Sequence, residues 1–212
     1  YLNIIELCRN HNVEGYIYAS SSSVYGINDE LPFKEESHNG NSPITLYGAT
    51  KRANELIAYS YSHLYSLNTT GLRFFTVYGP WNRPDMAMFI FTKKIILNEP
   101  IDVYNNGQMK RDFTFIDDII SGIRSAIDKN YKFELFNLGN NRSESLVDMI
   151  SLLEEELKLK AIIKYRPHQP GDLIETSADI SHSKDKLSYN PKTSLSIGIP
   201  KFINWYKKYY NI

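Results

Sequence analysis

This sequence predicts an α/β fold, a parallel sheet covered by helices, and three observations carry that reading. Short apolar-rich runs at residues 16–19, 71–78 and 133–138 suit strands buried on both faces. Segments with helical spacing separate them, and the order helix, strand, loop, helix, strand is the one that builds parallel sheets. The serine run Ser20 to Ser23 follows the first strand at its carboxyl end, where open α/β sheets hold their ligands.

Each element has its own signal. Leu2, Ile5 and Leu7 recur at helical spacing as far as His11-Asn12, and Val13-Glu14-Gly15 turns the chain into the first strand. Residues 26–44, with Pro32, Pro43 and several acids, read as a long loop. The clearest helix covers 46–67, with Ala49, Ala53, Leu56, Ile57 and Leu64 along it. Residues 71–78 read as one strand closed by Gly79-Pro80, and Arg83-Pro84-Asp85 leads into a helix over 86–97. A strand at 101–104 is followed by Asn105-Asn106-Gly107, a turn of hairpin type. Residues 113–116 precede a helix over 117–127 with Asp117 as its N-cap. Beyond the strand at 133–138, helices are expected over 143–157 and 196–210, the last docked on the domain.

Composition excludes several classes. Lysine plus arginine and aspartate plus glutamate number 24 each, so formal charge is zero, and neither a nucleic-acid nor a membrane partner is expected. Hydrophobic residues at 42% against 23% charged argue for a folded globular chain rather than a disordered one. Cys8, the single cysteine, excludes an internal disulfide and a cysteine metal site, and fits a reducing cytoplasm. The histidines show no metal-ligand spacing, so no metal is expected, and no apolar run approaches the roughly 18 residues of a membrane span. The start, Tyr-Leu-Asn-Ile-Ile-Glu, lacks both an initiator methionine and a basic leader, and reads as a chain entered partway through.

Two constellations carry chemistry. Tyr47-Gly48-Ala49-Thr50-Lys51 opens the long helix, and positions i and i+4 share a face, so the phenol and the ammonium project together. A nearby positive charge favours phenolate, which is what a tyrosine needs to act as a general base on a sugar hydroxyl. With 16 tyrosines in the chain, such a pair is weak by itself. The serine run strengthens it: hydroxyls at a strand's carboxyl end can hydrogen-bond a substrate oxygen while the phenol takes its proton. Serines that only satisfy their own loop backbone are the competing reading.

Taken together, Ala19-Ser20-Ser21-Ser22-Ser23-Val24-Tyr25-Gly26, Tyr47-x-x-x-Lys51 and Arg73-Phe74-Phe75-Thr76-Val77-Tyr78-Gly79-Pro80 resemble the extended short-chain dehydrogenase/reductase family. More narrowly, Arg83-Pro84-Asp85-Met86-Ala87 and Arg111-Asp112-Phe113-Thr114-Phe115-Ile116-Asp117-Asp118-Ile119 look like the UDP-glucuronate 4-epimerases of bacterial capsule and lipopolysaccharide pathways. The resemblance implies the carboxyl-terminal part of a Rossmann-type parallel sheet, at residues 1–80, and a smaller α/β sugar-nucleotide domain. That second domain would take 81–212, with 112–139 returning to the first. It implies NAD as cofactor and a UDP-sugar as substrate. Tyr47 would be the base, Lys51 its partner and the holder of the nicotinamide ribose, and Ser21 the hydroxyl bonded to the sugar O4. Phe74 would stand beside the cofactor.

Ser22 and Ser23 would line the same pocket. Related sugar-nucleotide dehydratases carry Asp and Glu at those two places, so elimination chemistry is disfavoured. Arg111 would contact a phosphate, and its guanidinium fork suits that. Thr76 and Arg83 would face the sugar carboxylate, and Asp172 the ribose. Asn82 replaces the glycine usual before Arg-Pro-Asp-Met-Ala. The resemblance also implies a homodimer through helix 46–67.

No Gly-x-x-Gly-x-x-Gly turn for a cofactor pyrophosphate occurs in the chain, and roughly a hundred further residues upstream would be expected. UDP-glucose and UDP-N-acetylglucosamine remain alternative substrates. A reading of another class also stays open: a chain that binds a UDP-sugar or dimerises without turning it over.

Overall fold

Three parallel strands form the spine of the structure, a computed structural model that describes residues 1–27, 30–36, 43–169 and 171–212. Helix α1 (Leu2–Asn10) leads into β1 (Tyr16–Ser21), and α2 (Leu46–Tyr65) returns the chain to β2 (Thr69–Phe74). Then come β3 (Thr76–Tyr78), α3 (Ala87–Ile96), β4 (Pro100–Val103), β5 (Lys110–Arg111) and β6 (Phe113–Phe115). After α4 (Ile116–Lys129) follow β7 (Phe133–Leu138), β8 (Glu144–Ser145), α5 (Leu146–Leu157), β9 (Ile162–Tyr165), α6 (Ser181–Leu187) and α7 (Leu195–Tyr210).

The main sheet has the order β1-β2-β7. Its register aligns Ser21 with Phe74 and Phe74 with Leu138, so the three strands end together. Alternation along the strands sends Tyr18 to one face and Leu72 to the other. Tyr18 packs with Ile5 of α1 and Ala58 of α2. Leu72, Phe136 and Leu138 pack with Ile119 and Ala126 of α4 and Leu187 of α6. Both faces are covered, as an all-parallel sheet requires. The largest core lies elsewhere, where α3, α5 and α7 close around Ile101, Val103 and Tyr78. Phe202 and Ile203 are fully buried there, so the terminal helix is docked as its pattern suggests.

The structure departs from the sequence reading in several places. Residues 71–78 are two strands with different partners. β2 belongs to the main sheet, whereas β3 pairs in parallel with β6. The break falls at Phe75, whose amide reaches the Leu138 carbonyl at 3.4 Å, while the Thr76 amide donates to Asp112 O at 3.0 Å. Asn105-Asn106-Gly107 is a single 3-10 turn and closes no hairpin, because β4 pairs in parallel with β9. Asp117 does not cap α4; Phe115 occupies the cap position without a side-chain bond. The neighbouring Asp118 carboxylate instead accepts the amides of Lys192 and Thr193. Of the long loop expected at 26–44, residues 28–29 and 37–42, including His38, lie outside the described residues, as does Pro170. No helix among the described residues is long and apolar enough to cross a membrane.

Candidate functional site

The carboxyl end of β1 opens directly into the site. The Ser21 hydroxyl accepts the Ser23 amide at 3.2 Å and donates to the Ser23 hydroxyl at 3.2 Å. That bond caps a short 3-10 turn, Ser22–Tyr25, and holds the serine run in one conformation. Helix α2 starts beside it, with Thr45 Oγ1 accepting the Gly48 amide at 3.0 Å. A Cβ on Gly48 would stand 2.5 Å from the Ser23 carbonyl, so only glycine lets the first turn of α2 approach the serine turn this closely. Tyr47, half exposed, sits at that first turn. One helical turn on, Lys51 Nζ donates to Ala19 O at 2.9 Å and lies 5.6 Å from the centre of the Tyr47 ring.

These groups form one wall of a cleft of about 740 Å³ that runs along the strand ends. Ser21, Ser22, Ser23, Tyr47 and Lys51 line it from one side, with Phe74 at the end of β2. Thr76, Arg83, Arg111 and Asp172 line the same cleft. Every residue that the sequence singled out thus borders one space. Arg83 is exposed and holds a fork-to-fork ion pair with Asp85, its Nε donating to Oδ1 at 3.0 Å. Arg111 is less exposed and donates to Asp172 Oδ1 at 2.6 Å, to Lys110 O at 2.9 Å and to Ile174 O at 3.2 Å. Burial pulls its guanidinium below the usual arginine range, while the Asp172 carboxylate opposes that pull.

Two buried groups behind the wall escaped the sequence reading. Glu55 is 1% exposed, and its carboxylate takes both Arg73 Nε at 2.8 Å and Arg73 Nη2 at 2.9 Å. Burial works against its charge, but the Arg73, Ser20 and Arg52 donors hold it below the ordinary carboxylate range. The available signal was its spacing, four residues beyond Lys51 on the same helix face. Asp112, fully buried, accepts the Asn140 amide at 2.6 Å, the Ala178 amide at 3.0 Å and the Thr114 hydroxyl at 3.0 Å. It ties the loop after β7 to the segment that carries Thr176, another residue of the cleft.

Among the described residues no group of histidine, cysteine and acid side chains could hold a metal ion. His182 stacks on Phe136 and pairs with Glu134, and His63 stacks on Tyr59.

Comparison with known proteins gives consistent relatives. Residues 1–139 match the NAD dependent epimerase/dehydratase family. Protein MJ1055 of Methanocaldococcus jannaschii is 49% identical over 205 residues, covering 97% of this chain and 63% of its own length. UDP-glucuronate 4-epimerase 4 of Arabidopsis thaliana is 43% identical over 231 residues, covering 100% and 52% respectively. Among solved structures, the UDP-glucuronic acid 4-epimerase of Bacillus cereus, in complex with UDP-glucuronic acid and NAD, is similar with a TM-score of 0.88 at 35% identity. It covers 97% of this chain and 65% of that one. The chain therefore spans between about half and two thirds of the length of these relatives. With the family pattern matched over more than half its residues and the same fold around the cleft, the chain belongs to the NAD-dependent epimerase/dehydratase family.

Proposed function

We propose that this chain carries the reaction centre and sugar-nucleotide site of a UDP-sugar 4-epimerase, with UDP-glucuronate as substrate and UDP-galacturonate as product. The observation that carries the proposal is the single cleft that Ser21, Tyr47, Lys51, Arg83 and Arg111 all border. The names of the relatives support the choice of sugar.

In this reading each side chain has a task. The Tyr47 phenol takes the proton from the sugar O4 and later returns it, with Lys51 Nζ 5.6 Å from the centre of its ring. The Ser21 hydroxyl, already oriented by the turn it caps, hydrogen-bonds O4 and fixes it toward Tyr47. Ser22 and Ser23 offer only neutral hydroxyls, which suits a sugar that must rotate in place and does not suit elimination. Thr76 and Arg83 meet the hexuronate carboxylate, since a charge brought out of water needs a cation or several donors. Arg111 presents its fork to the pyrophosphate, and Asp172 accepts from the ribose.

NAD fits the strand-end side of this cleft. Tyr47, Lys51 and Phe74 border the space where a nicotinamide riboside would stand. When bound, NAD would supply a reversible hydride acceptor for the sugar C4. The free thiol Cys8 suits the reducing cytoplasm in which such a reaction would run. Leu46, Leu56 and Leu64 of α2 are exposed, which supports a homodimer through that helix. Light scattering at micromolar concentration tests the dimer, and a monomer mass rejects it.

The test of the activity is chromatographic. The chain, and any longer form that its gene encodes, are each incubated with NAD and UDP-glucuronate, and the nucleotide sugars are separated against standards. Formation of UDP-galacturonate supports the proposal. No conversion of UDP-glucuronate, UDP-glucose or UDP-N-acetylglucosamine by either form rejects it.

A further inference from the structure

Behind the catalytic wall lies a buried polar junction that this mechanism does not yet use. Tyr47, Lys51 and Glu55 stand at i, i+4 and i+8, along one face of α2. Lys51 donates to the carbonyl of Ala19, and the hydroxyl of Ser20 donates to Glu55 Oε1 at 2.6 Å. Successive turns of the helix are thus fastened to successive residues of β1, immediately before Ser21. From Glu55 the junction continues through Arg73, whose Nη1 donates to the Tyr25 hydroxyl at 3.0 Å. Tyr25 ends the serine turn, and its own hydroxyl donates to Asn137 Oδ1 of β7 at 2.6 Å. Ser20, Glu55 and Arg73 are each no more than 2% exposed.

A buried ion pair is a poor way to gain stability, because desolvation cancels most of the attraction and apolar side chains of equal volume serve as well or better. What this one provides is direction. The Glu55 carboxylate is held by Ser20, both arms of Arg73 and Arg52, so it has one position relative to β1, β2 and the helix. Every element bearing a hydroxyl of the reaction centre is fastened to it. We propose that Glu55 is a positioning residue that, through Ser20 and Arg73, sets the Tyr47 end of α2 against the Ser21 turn. This rests on the epimerase reading for its kinetic consequence but not for its structural one.

The test uses the full-length protein encoded by the gene and two variants. Ser20→Ala removes one hydroxyl and leaves the Glu55–Arg73 pair whole, so it keeps the fold. Its expected effect is a drop in kcat of about tenfold with KM for the UDP-sugar changed less than twofold, the pattern of misplaced reacting groups. Amide hydrogen exchange should rise at residues 21–25 and 45–51, and stay unchanged in α5 and α7. Glu55→Gln should lower kcat at least as far. The double variant should be no worse than Glu55→Gln alone, because both changes cut the same tether.

Wild-type kcat together with wild-type exchange in Ser20→Ala would overturn the proposal. If the wild-type protein itself turns over no UDP-sugar, the functional reading falls, and the exchange measurement alone decides the tether. If Glu55→Gln fails to fold, Ser20→Ala decides.

Discussion

Asp112 offers a test of the forces that tie the loop after β7 to the segment carrying Thr176. Its carboxyl group is fully buried and accepts three donors, from Asn140, Ala178 and Thr114. Burial disfavours the charged form and pushes its pKa up to about 6, against those donors, from an ordinary 3.8. An acid whose pKa is raised on folding binds its proton more tightly in the native state. Its contribution to stability is therefore fully present below the unfolded pKa, near 4, and is lost as pH rises through about 6. The gap between the two values converts to about 3 kcal/mol. Asp112→Asn keeps the volume and removes the titration. Urea unfolding of both proteins at intervals from pH 4 to 7.5 should show their stability difference moving by about 2.5 kcal/mol in favour of the variant as pH rises, the rest of the gap lying below pH 4. Parallel stability curves across that range would show that the donors, not burial, govern this carboxylate.

Three further outcomes are expected. Tyr47→Phe in the full-length protein should abolish turnover while calorimetry still detects UDP; residual activity at wild-type level removes Tyr47 from its assigned role. Gly48→Ala places a methyl group 2.5 Å from the Ser23 carbonyl, so thermal melting should show a loss of about 1–3 kcal/mol. An unchanged melting temperature would mean that the serine turn moves aside at no cost. Arg111→Lys keeps the charge but not the fork. Titration with UDP should show affinity lower by about tenfold, equivalent to roughly 1.4 kcal/mol, and equal affinity would place the phosphate contact elsewhere.

The spine of the fold was legible because strands buried on both faces must be short and apolar, as Tyr16–Ser21 and Phe133–Leu138 are. Helix α2 was legible for its length and for Ala49, Ala53, Leu56, Ile57 and Leu64 along it, whereas its Thr45 cap came only with the structure. The partner change at Phe75 was not, since Thr76-Val77-Tyr78 continues the apolar run and only pairing geometry divides it. β9 offers a mere four residues, mostly exposed, and α6 has Leu187 as its single apolar residue, so neither carries a periodic signal. The candidate residues Ser21, Tyr47 and Lys51, which border one cleft, were readable from motif spacing in β1 and α2. The Arg111–Asp172 pair, separated by 61 positions, was not. Nor was the role of Glu55, because an acid on a helix reads as solvent-facing until the strand beneath it is known to present a buried arginine.

The change of partner at Phe75 also has a mechanical meaning. Residues 69–78 serve one sheet and then another without an intervening linker, so β2 and β3 share a pivot at the single residue Phe75. The Phe75 ring packs beside Tyr25 and Phe33, with centroids 6.5 and 6.4 Å away, which seats that pivot against the end of the serine turn. A shift of β3 against β2 would therefore bear, through the Phe75 ring, on Tyr25, the last residue of the turn that carries Ser22 and Ser23.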